Sequence, residues 1–255
     1  MSASDSRPLV NVIIPAYNEE GGVGQVLDDI PREAVSEVIV VDNGSTDRTA
    51  DVARRHGARV VHEERRGYGQ ACLAGIAAMD PAAEIVVFLD ADYSDDPRQI
   101  VSVLAPILDG RADMVIGSRT LGRREKGALA PQARFGNRLA TSLIRRLWGV
   151  TFTDLGPFRA IRRDTLRAMN MRDTNFGWTV EMQVKASLLG VPVTEVAVSY
   201  RRRIGKSKIT GTLRGTVGAG VKIIWTIGYY WVVGRGGARL HSPQARARHE
   251  REPIT

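Results

Sequence analysis

The densest chemistry in the chain lies in FLDADYSDDP (88–97), where Asp90, Asp92, Asp95 and Asp96 crowd into one short turn after the apolar run EIVV. Asp90 and Asp92 are separated only by the small Ala91, so both carboxylates can face one cation. Hard oxygen donors of this kind suit Mg²⁺ or Mn²⁺, which bind through one or two carboxylates and complete their shell with phosphate oxygens and water. Asp95 and Asp96 have a second use, because they precede Pro97 and acidic residues cap helices. We assign the first pair to metal and donor binding and the second to capping.

A second concentration of charge has the opposite sign. SYRRRIGKSKITG (199–211) carries Arg201, Arg202, Arg203, Lys206 and Lys208 beside Gly205 and Ser207, a pattern open to a solvated loop, a nucleic-acid patch or a phosphate clamp. Nucleic-acid binding adds aromatic stacking groups, and only Tyr200 is nearby, so no nucleic-acid partner is expected. The whole chain, with 36 basic against 28 acidic residues in 255, has a net charge of +8 and points to an anionic partner. A single cysteine, Cys72, excludes an intramolecular disulfide and fits a reducing cytoplasm. The four histidines do not cluster, and no signal-peptide pattern precedes the first apolar run, which argues against export.

These loops need a frame. Apolar, β-branched runs at 9–14, 37–41, 58–61, 84–89 and 112–117 read as strands, and helical patterns near 20–30, 46–56, 69–79 and 97–109 fill the gaps, with Ser45 or Thr46 as a helix start. Such alternation predicts an α/β fold with a mostly parallel, doubly wound sheet flanked by helices. Ligands then sit beyond the carboxyl ends of the strands, where PAYNEE, DNGSTD and DADYSDDP converge. The first of these loops has no GxGxxG, which disfavours an NAD-binding domain. A long basic connection follows Gly117, then a helix over 134–148, a strand at FRAIRR, a helix near 178–189, a strand in VPVTEVAVSY and an apolar helix at about 211–233. The boundaries expected are an N-terminal extension (1–8), a catalytic domain (9–210), an interfacial or dimer helix (211–234) and a disordered basic tail (235–255).

IIPAYNEE, VVDNGSTD, RGYGQA, FLDADYSDDP, IGSR and RIGKSK, in this order and spacing, resemble the family-2 glycosyltransferases with the GT-A fold, over about Leu9 to Trp231. Within that family the likeness is to polyprenyl-phosphate (dolichyl-phosphate) hexose synthases. The resemblance implies that Pro15, Ala16, Tyr17, Glu19 and Asp42 hold the base and ribose of a nucleotide-sugar, and that Asp90, Ala91 and Asp92 form the metal-dependent motif beneath its diphosphate. A metal there would neutralise charge on the leaving group, which makes Asp92 a catalytic candidate. Gly67 and Gly69 would let the backbone approach the donor and Gln70 would hydrogen-bond it, with a turn and helix-start role equally open. Asn43 stands where a second acid is common and leaves the base open between uracil and guanine; Ser94 stands where such synthases often offer a glutamine to the metal.

On the acceptor side the resemblance implies phosphate contacts from Arg119, Arg134, Arg203, Ser207 and Lys208. An acceptor phosphate is already ionised and needs no general base, whereas a hydroxyl acceptor does. Asp154 and Glu181 are the candidate bases, with orientation of Arg159 or of the acceptor loop as their other role. The segment IIWTIGYYWVVG (223–234) is shorter than the ~20 residues a bilayer-spanning helix needs. Its Trp225, Tyr229, Tyr230 and Trp231 suit a helix lying at headgroup level on the inner face of the membrane, or a core or homodimer helix. The reading is an inverting, metal-dependent transfer of a hexose from a UDP- or GDP-linked donor to a polyprenyl phosphate. The alternative is the same fold acting on a hydroxyl of a small metabolite or glycan.

Overall fold

The computed structural model describes residues 7–205 and 213–236. Along the chain run β1 (Val10–Ala16), α1 (Val23–Asp29), β2 (Glu37–Asp42), α2 (Thr49–Arg55), β3 (Arg59–His62), α3 (Tyr68–Ala78), β4 (Ile85–Phe88), α4 (Ile100–Leu108) and β5 (Met114–Ser118). They are followed by α5 (Pro131–Trp148), β6 (Arg159–Arg162), α6 (Arg163–Met169), α7 (Trp178–Leu189), β7 (Val193–Ala197) and α8 (Leu213–Gly236). The strands form one seven-stranded sheet in the order β3-β2-β1-β4-β6-β5-β7. Every pairing is parallel except those of β6, which runs antiparallel between β4 and β5.

Helices cover both faces, so the central strands are apolar on both sides rather than alternating with polar residues. Val12, Ile14, Val40, Ile85 and Val87 pack with Val26, Leu27, Ile100 and Val103 on one face. Ile13, Ile39, Val41, Phe88 and Ile116 pack on the other with Cys72, Ile144, Trp178 and Met182. Gly75 of α3 is required on this second face, because a Cβ there would come within 2.5 Å of Ile13 Cγ2. α8 closes the layer by laying Ile223, Ile227 and Tyr230 against the second core.

The predicted strands and long helices are present, with displaced ends. α2 begins at Thr49 rather than near residue 46, because the Asp47 carboxylate captures the Thr49 amide and hydroxyl and turns the chain first. α5 begins three residues before Arg134, with Pro131 in the first helical position. β7 is confined to Val193–Ala197, since Tyr200 exchanges backbone hydrogen bonds with Arg123 and Glu125 instead of extending the edge strand. The capping assignment divides: the Asp96 side chain accepts from the Arg98 amide and caps a 3₁₀ turn at Pro97–Gln99, whereas Asp95 caps nothing. α6 is too short for its periodicity to be read in advance.

Candidate active site

A cleft of about 400 Å³ opens beyond the carboxyl ends of β1, β2 and β4. Its walls include Pro15, Ala16, Tyr17, Glu19, Gly67, Asp90, Ala91, Asp92 and Arg203, all singled out by sequence. The loop after β1 is locked to the loop after β2 by Asn18, whose backbone adopts φ 51° while its amide donates to Ser45 Oγ and its side-chain oxygen accepts from the Thr46 amide. Gly22 permits the close approach of this loop to the acidic turn, since a Cβ would stand 2.7 Å from the Ala91 carbonyl.

Asp90 and Asp92 are held by different partners. Tyr68 donates its hydroxyl to Asp90 Oδ1 at 3.1 Å, and the Ser94 amide donates to Asp92 Oδ1 at 2.9 Å. Arg203 spans the cleft, with Nη2 at 3.0 Å from Asp92 Oδ2 and 2.9 Å from Glu19 Oε1. Burial and, second, the Asp92 charge push the Asp90 pKa up to about 6, against the pull of the Tyr68 hydrogen bond and of Arg203 and Arg119. Asp95 is driven well above the usual carboxylate range by burial, and neither of its buried oxygens has a hydrogen-bond partner among the described residues. Its burial behind the pair disfavours the charged form.

Two hard carboxylates on one turn fit a divalent cation, and the guanidinium at Asp92 shows that the position favours positive charge. Among the described residues no third His, Cys, Asp or Glu joins them in a metal-binding group, so a cation here would complete its shell from a diphosphate and water. Ser94 is buried behind the turn and does not line the cleft.

Several expectations are corrected. Asp154, a candidate base, is fully buried and accepts Nε, Nη2 and the amide of Arg119 at 2.7–2.8 Å. Burial, the largest influence, raises its pKa, but the Arg119 charge together with the hydrogen bonds from Arg119 and the Leu155 amide brings it below the usual range, and the bidentate pair positions Arg119. Glu181, the other candidate base, accepts the amides of Arg172 and Asp173 and is equally enclosed. Gln70 turns away to Glu63 at 2.9 Å, while its amide binds the Thr174 carbonyl. Gly67 and Gly69 are glycine because a Cβ on either would collide with the carbonyls of Thr174 and Asp173; Gly67 alone also lines the cleft.

Asp42 is buried below the floor, accepting from the Ser45 amide and pairing with His62. Arg119 stacks near Tyr200 and acts on the Asp90 charge without lining the cleft. Arg134 is exposed on α5 and is not brought to the site. Ser207 and Lys208 lie outside the described residues.

Further cleft residues not picked out include Tyr68, Arg66, Asn175 and Phe176. Tyr68 sits inside RGYGQA, where its hydroxyl was the available signal. Arg66 lies over the Tyr17 ring, 3.3 Å from its centroid, and donates to the Asn43 carbonyl. Asn175 and Phe176 come from a loop with no motif at all. Asn43 also has a physical reason to depart from an acid: its amide nitrogen donates to the carbonyls of Glu63 and Arg65 while its oxygen accepts from Gly67.

The model for glycosyl transferase family 2 matches residues 11–169. A dolichyl-phosphate hexose transferase of Haloferax volcanii is 36% identical over 203 residues, covering 78% of this chain and 85% of that protein. An undecaprenyl-phosphate mannosyltransferase of Micrococcus luteus is 33% identical over 243 residues, covering 87% of this chain and 96% of that one. Glucosyl-3-phosphoglycerate synthase from Mycobacterium tuberculosis, solved in complex with Mn²⁺, uridine diphosphate and glucosyl-3-phosphoglycerate, superposes with a TM-score of 0.69. That likeness covers 86% of this chain and 78% of the other at 24% identity, and shows the shared GT-A fold. The chain belongs to glycosyl transferase family 2.

Two outcomes follow from the site. Asn43→Asp leaves two loop carbonyls facing a carboxylate and lowers unfolding free energy by about 1–3 kcal/mol in denaturant titrations. Asp90→Asn removes a group whose folded pKa lies above its unfolded value, so it raises the melting temperature by a few degrees at pH 7.5. The gain shrinks as pH falls through about 6 and vanishes below the unfolded value near 3.8, where the wild-type carboxyl is protonated in both states.

Proposed function

We propose that this family-2 transferase moves a hexose from a UDP- or GDP-linked donor to a polyprenyl phosphate, inverting the anomeric centre, with Mg²⁺ or Mn²⁺ held by Asp90 and Asp92. The observation that carries the acceptor class is the engagement of both candidate bases. Asp154 is spent on Arg119 and Glu181 on backbone amides, and neither lines the cleft. A phosphate nucleophile needs no base, so their withdrawal costs such a reaction nothing.

In this reading Pro15, Ala16 and Tyr17 receive the nucleoside, with Arg66 over the tyrosine ring. Tyr68 orients Asp90, and the bound cation supplies charge neutralisation for the departing diphosphate. Arg203 binds the acceptor phosphate from the opposite side of the acidic turn, and Arg119, kept in place by Asp154, adds positive potential behind it. An acceptor oxygen attacks the anomeric carbon as the bond from that carbon to the β-phosphate oxygen breaks, and the nucleoside diphosphate leaves with the electron pair. Holding both substrates in line supplies much of the rate.

The outer surfaces of α5 and α8 support a lipid-borne acceptor. Phe135, Leu139, Val221, Ile224, Trp225, Tyr229 and Val232 are exposed there, beside exposed Arg134, Arg138, Arg145 and Arg146. Neither helix contains an Asp or Glu. Apolar and aromatic groups beside cations, on helices without an acidic residue, match an anionic bilayer surface. Among the described residues no helix is long and apolar enough to cross a membrane, so the contact proposed is peripheral.

Incubation with labelled UDP- or GDP-hexoses, Mn²⁺ and a polyprenyl phosphate is expected to yield lipid-extractable sugar. Label found only in water-soluble product would transfer the assignment to a hydroxyl acceptor. Arg203→Ala should lower the lipid-acceptor rate by about 10–100-fold, the loss of a charge-assisted hydrogen bond. Vesicles containing anionic lipid should sediment the protein, and the Phe135→Ser/Trp225→Ser pair should weaken that binding by about 10-fold or more. A wild-type protein that ignores vesicles but dimerises by light scattering would assign the face to a second copy.

A further inference from the structure

One wall of the cleft, Asn175 and Phe176, belongs to a segment without regular structure between α6 and α7. Its inner side is pressed against the start of α3, where the Thr174 carbonyl accepts the Gln70 amide at 2.8 Å and only glycine fits at 67 and 69. Its outer side is organised by two buried carboxylates. Glu181 accepts the amides of Arg172 and Asp173, the latter at 2.7 Å. Asp173 Oδ1 in turn accepts the amides of Asn175 and Gly177 at 2.7 and 3.1 Å.

Each of these carboxylates receives a further partner from α8. Lys222 Nζ lies 2.9 Å from Asp173 Oδ2, and the Tyr230 hydroxyl donates to Glu181 Oε1 at 2.7 Å. Lys185 of α7 also reaches Glu181, at 2.7 Å. Thr226, one turn from Lys222, packs so close to Gly177 that a Cβ there would stand 2.8 Å from its hydroxyl. Lys222, Thr226 and Tyr230 recur at four-residue spacing, so one face of α8 makes all these contacts.

We infer that α8 is part of the donor-site scaffold: Lys222 and Tyr230 are positioning residues that fix residues 172–177 so that Asn175 and Phe176 form the cleft wall. The cost of leaving two carboxylates buried without these partners is what makes the loop geometry depend on α8. The inference rests on the reading of the cleft as a nucleotide-sugar site and adds to it a second set of groups that never touch substrate.

Full-length Lys222→Met and Tyr230→Phe proteins test it, with hydrogen–deuterium exchange of peptides spanning 172–177 and calorimetric titration of UDP and GDP in Mn²⁺. Exchange in that segment should rise at least about fivefold and nucleotide affinity fall about tenfold, a change of about 1.4 kcal/mol. The affinity loss should appear in donor KM, with kcat at saturating donor within about threefold and Lys222→Arg restoring most of it. If Lys222→Met does not fold, Tyr230→Phe, which removes one hydroxyl, carries the same readouts. Unchanged exchange at 172–177 would overturn the inference, as would raised exchange with unaltered nucleotide affinity. A wild-type protein that binds neither nucleotide would sink the donor reading instead, while the exchange data still decide whether α8 holds the loop.

Discussion

Two carboxylates one residue apart, at the end of a strand buried on both faces, are the constraint from which most of the site follows. They are largely removed from water and their charges repel each other, and the rise of Asp90 to about 6 is the signature. Everything adjacent offsets that cost. Tyr68 and the Ser94 amide give hydrogen bonds, Arg203 gives a countercharge, and Arg119 acts from behind. A turn so provisioned presents concentrated negative charge to the cleft, which is the feature the proposed cation site rests on.

Other buried acids hold structure instead. Asp154 places Arg119 through a bidentate pair, and Glu181 gathers the amides of the 172–177 segment. The difference from Asp90 lies in what surrounds them. A carboxylate paired with a guanidinium, as Asp154 is, has its pKa held below the usual range and is poorly suited to taking a proton in catalysis. Asp95 shows the third outcome, a carboxyl with no hydrogen-bond partner among the described residues, whose pKa burial raises.

The second organising feature is the two-sidedness of α8. Its inner face reaches the donor wall through Lys222 and Tyr230, while Trp225, Tyr229 and Val232 lie on its exposed face. A single helix therefore braces the segment that forms one cleft wall and carries an exposed apolar and aromatic face. α5, packed beside it and rich in arginine, widens that surface.

The strands, a mostly parallel sheet and the acidic turn were legible in the sequence, because buried strands demand β-branched runs and the chemistry demands paired carboxylates at their ends; the strand order and the antiparallel β6 were not. So was most of the cleft lining, through Pro15, Ala16, Tyr17, Glu19, Asp90, Asp92 and Arg203. Less could be read wherever a residue's role depends on a partner far along the chain. Asp154 was indistinguishable from a base until Arg119 was seen 35 residues away, and Gly67 and Gly69 implied close approach without saying to what. Asn175 and Phe176 carried no local signal. Local pattern by itself determined the fold class and the chemical groups at the strand ends. Only the tertiary structure decided which acids remain available to ligand and which are consumed as scaffold, because that depends on hydrogen-bond donors and burial contributed by elements distant in sequence.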